Sequence, residues 1–135
     1  MQATVTVALV LHVVSGVFWA GSTFALARLG GNQGRQFLRP QVGAAAVAIV
    51  TGALLWYLLH RGSDGTSEHV LATGAVFALI AAGIQAVTGL TGRRVLAGVG
   101  ALDGAHSQNR AAIGQRLAAG CLLITVICMA ASRYV

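Results

Sequence analysis

Apolar and polar positions fall along this chain in long blocks, not in alternation. Four apolar runs occupy about residues 3–29, 40–60, 68–90 and 112–133. A helix rises 1.5 Å per residue, so roughly 20 apolar residues cross about 30 Å of hydrocarbon. Barrel strands would be half as long and would alternate inward and outward positions. The pattern predicts an all-α fold, a four-transmembrane-helix up-down bundle forming a single integral membrane domain over 1–135. Short links make consecutive helices antiparallel neighbours.

The links carry local signals. Gly30 to Arg39 is polar and glycine-rich, and Pro40 suits the first turn of the second helix. Arg61 to Ser67 reads as a tight turn, with Ser67 as the cap of the third helix and Glu68 near its positive end. Thr91 to Arg110 is the longest link. Its apolar stretch from Val95 to Leu102 is expected to form a short helix on the membrane surface.

Composition agrees with this picture. The chain is 56% hydrophobic and 9% charged, where soluble domains are roughly a quarter charged. Its 18 glycines suit helices that approach closely in lipid. The net charge of +6 does not indicate nucleic acid. Every basic residue is an arginine at the end of an apolar run or in a link, and no basic tract is interleaved with aromatics. These arginines face lipid headgroups instead. Arg28, Arg35, Arg39, Arg93, Arg94, Arg110 and Arg116 fall on one side, against Arg61 and Arg133 on the other. The positive-inside rule then puts the first side in the cytoplasm. The expected location is the cell membrane, multi-pass, with both termini outside. Met1 to Thr4 lacks a positive n-region, so the first run reads as a retained helix. Besides the bilayer, glycine-lined helix faces suit a membrane partner or a second copy of the chain.

Candidate chemistry concentrates on the first helix. His12, Ser15, Gly16, Trp19 and Thr23 share one small, polar face. A histidine about nine residues into a membrane needs a partner inside the bundle. It serves either as a haem or metal ligand, or as a hydrogen-bond partner of a neighbouring helix's backbone or hydroxyl. His60 and His69 flank the turn on the same side of the membrane. With His12 they form a candidate metal set, although His12 lies deeper than the other two. His106 falls in a cytoplasmic link. Cys121, Thr125, Cys128 and Ser132, with Met129, are either soft ligands for copper(I) or a packing stripe. Gly74, Ala78, Ala81, Gln85 and Gly89 share a face of the third helix, from which Gln85 is expected to bond across the bundle. No Asp or Glu lies within a span, with Glu68 at best at an edge, which weakens a proton-coupled transporter.

His12-x6-Trp19-Ala20-Gly21, followed by Arg28-Leu29, resembles the first helix of the copper-resistance D family and of the four-helix haem-biosynthetic protoporphyrinogen oxidase family. Arg39-Pro40 and Thr51-Gly52-Ala53-Leu54-Leu55-Trp56 resemble the start and end of their second helix. The resemblance covers roughly the first 60 residues. Beyond them the chain departs, with no lysine and a different ending, Met129 to Tyr134. By position the resemblance implies His12 as a haem ligand, supported by Trp19 and Arg28. The resulting expectation is a small bacterial-type inner-membrane protein that binds haem b or copper for redox or metal handling. The alternatives are a non-catalytic anchor or accessory subunit, and a small-solute transporter.

Overall fold

The computed structural model describes residues 2–29, 34–59, 65–96 and 104–134, with side chains over 2–28, 39–59, 65–89 and 109–134. Among the described residues the chain is all-helical and has no strand. The helices are α1 (Gln2–Leu29), α2 (Gly34–Leu59), α3 (Thr66–Leu96) and α4 (Gly104–Ala131). Each is long and apolar enough to cross a membrane.

The helices outrun the apolar runs that forecast them. Hydropathy marks residues suited to lipid, whereas helix continues wherever the backbone tolerates it. Arg and Gln are good helix formers, so α2 already runs at Gly34 and Pro40 lies inside it, not in its first turn. A proline there removes the hydrogen bond to the Gln36 carbonyl and crowds it. Likewise α3 continues to Leu96 and α4 begins at Gly104. The expected surface helix therefore starts within the end of α3, and residues 97–103 lie outside the described part. At the start of α3 the cap differs from expectation too. The Gly65 carbonyl accepts from the amides of Glu68 at 3.0 Å and His69 at 3.4 Å, so Ser67 sits within the first turn. Glu68 is near the positive helix end, as expected.

The outward faces are apolar. Val17 is 67% exposed, Val50 66% and Val87 65%, a surface suited to hydrocarbon and not to water. The core is built mostly from small residues: Ala45, Ala48, Ala81 and Ala118, with Leu122, surround Trp19. The packing is uneven. α3 lies extensively along α4, and α1 along α2. A smaller α1–α4 interface joins the two pairs, and α2 scarcely meets α3.

Particular glycines permit the closest approaches. A Cβ on Gly74 would stand 3.0 Å from Cys128 Cβ and 3.3 Å from the Thr125 carbonyl oxygen. One on Gly114 would stand 2.6 Å from Thr88 Cγ2. The Thr125 hydroxyl donates to the Gly74 carbonyl at 3.0 Å, fastening α4 to α3 beside the Gly74 contact. Cys121 and Cys128 are free and half-buried within this contact.

Candidate functional site

The polar face forecast for α1 is the face that α1 buries. Ser15, Trp19 and Thr23 are buried along it, flanked by Ala8 and Leu26, and His12 is half-buried. In an apolar bundle each of these groups needs a partner, because lipid offers none.

His12 finds its partner on α2. Its Nδ1 lies 2.8 Å from the Ala48 carbonyl oxygen and 3.3 Å from Thr51 Oγ1. A carbonyl only accepts, so Nδ1 carries the proton and donates it. In the uncharged ring Nε2 then keeps its lone pair. It has no hydrogen-bond partner among the described residues. The ring lies directly on Gly52, where a Cβ would stand 2.9 Å from His12 Cε1 and 3.3 Å from Nδ1. Ala48, Thr51 and Gly52 fall within one turn of α2, so one stretch of helix supplies the acceptor and the space.

Further along α1 a second cluster joins three helices. Trp19 Nε1 donates to Gln85 Oε1 at 2.7 Å. Gln85 Nε2 donates to Thr23 Oγ1 at 2.9 Å, and Gln41 Nε2 donates to the same oxygen at 2.7 Å. The Thr23 hydroxyl passes its own proton to the Trp19 carbonyl at 2.7 Å. Indole N–H only donates, which forces the Gln85 oxygen toward Trp19 and its amide toward Thr23. Thr23 is 0% exposed and Gln41 1%. Gln41 Oε1 is buried without a partner among the described residues. The Gln85 bond across the bundle was legible in the α3 pattern. Gln41 carries no such signal, since one polar residue beside Pro40 looks like the edge of a span.

The candidate residues on α1 are thus strung along the helix instead of gathered. Trp19 is a core residue, 3% exposed and bonded to Gln85. Arg28 is sixteen residues beyond His12, roughly 24 Å by helical rise, and opens onto a groove with Arg116. His69 is exposed in the first turns of α3. Trp19 and Thr23 align with Gln85, so His69 stands roughly 10 Å further from the middle of the bundle than His12 does. His60 lies outside the described residues, as does the side chain of His106. Among the described residues no three His, Cys, Asp or Glu side chains gather where they could hold an ion. On α4, Thr125 is buried in the α3 contact, with Cys121, Cys128 and Ser132 half-buried on the same stripe.

No protein-family model matches the chain, and neither a curated protein nor a solved structure matches it.

Proposed function

We propose that this chain is a multi-pass protein of the bacterial-type inner membrane that binds haem b through His12 Nε2 and takes part in redox handling. The observation that carries the reading is the hydrogen bond from His12 Nδ1 to the Ala48 carbonyl. Histidines that ligate metals donate their other ring N–H to a carbonyl or carboxylate, which fixes the tautomer and orients the ring. The bond to Ala48 and the seat on Gly52 supply both for His12.

The donor set favours haem over copper. A copper ion draws its ligands from several side chains, and no three His, Cys, Asp or Glu side chains gather among the described residues. Haem brings four nitrogens of its own, so a single imidazole nitrogen, such as His12 Nε2, would be enough to hold it. His12 would hold the group, Thr51 would stand beside its bonded nitrogen, and the apolar outer face would exclude water. Bound haem would supply one-electron exchange at its iron. The resemblance of the first two helices to haem- and copper-handling families supports the same reading. With the arginine-rich ends of the spans in the cytoplasm, both termini face outward and His12 lies in the outer half of the membrane.

The test is the reduced-minus-oxidised absorption spectrum of protein purified in detergent and supplied with haem, alongside elemental analysis for copper. Wild type is expected to hold haem b near one per chain, and His12→Ala at least tenfold less at matched helicity. A wild-type protein that neither contains nor takes up haem would sink the proposal, as would equal retention by folded His12→Ala. A second reading, a non-catalytic accessory subunit, draws on another observation: the Trp19, Thr23, Gln85 and Thr125 side chains are all spent on bonds between helices or to their own backbone. A colourless, metal-free protein that His12→Ala merely destabilises favours that reading.

A further inference from the structure

At the opposite end of α1 from its N-terminus, α1 and α4 leave a groove of about 460 Å³ between them, lined by Phe24, Ala27, Arg28, Arg116, Ala119, Gly120 and Leu123. We propose that this groove binds one acidic glycerophospholipid, with its phosphate between the Arg28 and Arg116 guanidinium groups and an acyl chain along the apolar floor.

The charges make the case first. Arg28 ends α1 and Arg116 lies near the start of the α4 span, so the antiparallel pair brings both to one end of the groove. Both are exposed, and neither has an ion-pair partner among the described residues. Glu68 is the only acid whose side chain is described, and it sits at the far end of the bundle, in the first turn of α3. Two guanidinium groups with no ion-pair partner among the described residues, at a hydrocarbon boundary, call for an anion, and their planar forks match phosphate oxygens. Basic pockets between helices on the cytoplasmic side are where acidic headgroups are held.

The floor makes the case second. Beyond the arginines the groove is apolar and leads toward the middle of the bundle. Leu123 is seven residues from Arg116, about 10 Å deeper by helical rise. Its width comes from Ala27, Ala119 and Gly120. A Cβ added at Gly120 meets nothing within 4 Å, so the space beside it is open. A free phosphate would use only the charged end, whereas a phospholipid uses the charged end and the floor together.

Gly120 provides the decisive lever, because a large side chain there fills the groove without touching either arginine's charge. The protein is reconstituted in phosphatidylcholine vesicles containing a trace of spin-labelled phosphatidylglycerol or spin-labelled phosphatidylcholine, and the immobilised fraction of each label is read by electron paramagnetic resonance. Wild type is expected to immobilise severalfold more phosphatidylglycerol than phosphatidylcholine. The Arg28→Gln/Arg116→Gln pair brings that ratio close to one. Gly120→Phe lowers it comparably with both charges intact, while Gly120→Ala, too small to fill the space, keeps the wild-type ratio. Inorganic phosphate does not displace the label. Equal immobilisation of the two lipids by wild type overturns the proposal. So does wild-type selectivity in Gly120→Phe, which would put the attraction at the membrane surface, or displacement by inorganic phosphate, which would make this a free-anion site. Far-UV helicity identifies any variant that fails to fold, and the charge pair and the groove filler each decide independently.

Discussion

Gly52 and His12 depend on each other. The imidazole occupies the space that a Cβ on Gly52 would need, with Cε1 2.9 Å from that position. Alanine at 52 must push the ring away and stretch the 2.8 Å bond to the Ala48 carbonyl. Overpacking of this kind costs about 1–3 kcal/mol. Gly52→Ala is therefore expected to lower stability by that order in a detergent unfolding titration and to lower haem retention with it. In a His12→Ala background the same substitution should be nearly neutral, since the obstructing ring is gone. An equal cost in both backgrounds would show that the contact is not the cause. The residue pattern disclosed half of this pair. A histidine on a small polar face of α1 is visible as helical spacing. The glycine that accommodates it is one of 18 in the sequence, and nothing local separates it from the rest.

The same blindness operates between elements. Gly74, Gly83 and Gly114 all sit inside apolar helices and look alike in sequence. Packing divides them. Gly74 and Gly114 lie where α3 and α4 touch, so that an added Cβ would stand 3.0 Å and 2.6 Å from the facing side chains, whereas one at Gly83 would meet nothing within 4 Å. Alanine at 74 or 114 is expected to cost about 1–3 kcal/mol, because the Cys128 β-carbon and Thr125 backbone at 74, or the Thr88 methyl at 114, must move aside. At Gly83 it should be neutral or stabilise by up to about 1 kcal/mol, because alanine is the better helix former. Unfolding midpoints of the three variants check this, and a cost at Gly83 equal to that at Gly114 would refute the assignment of contacts. Helix faces were legible because a 3.6-residue period needs only one helix to be read. Helix ends were not, since the Arg- and Gln-containing flanks carry helix past the apolar runs. Nor was the choice of partner, such as Thr23 for Gln41 or Ala48 for His12. Pairing across helices is a property of two segments at once.

For the molecule as a whole, the distribution of arginines is the basis for orientation. The proposal puts Gly65, before α3, outside and Asn109, at the start of the α4 span, in the cytoplasm. In a chain with Cys121 and Cys128 replaced by alanine, Gly65→Cys is expected to react with a membrane-impermeant maleimide in intact cells. Asn109→Cys should react only after the membrane is opened. The reverse pattern would invert the topology and move His12 to the inner half of the membrane.

The bonds from Trp19 and Thr23 to Gln85 join α1 to α3, and so cross from one tightly packed pair of helices to the other. Most remaining contacts lie within the pairs, between segments close in sequence, where closing the chain costs little entropy. Each pair can therefore form early as a local unit, leaving the indole N–H of one and the carboxamide of the other facing hydrocarbon. Both groups remain unsatisfied until the pairs meet in a single alignment, Trp19 against Gln85. Shifting one pair along the other by a helical turn would leave both groups stranded. The cluster at the centre of the bundle thus acts during assembly as a register mark, distinguishing the correct docking of the two halves from neighbouring alignments that the alanine-rich core alone would tolerate.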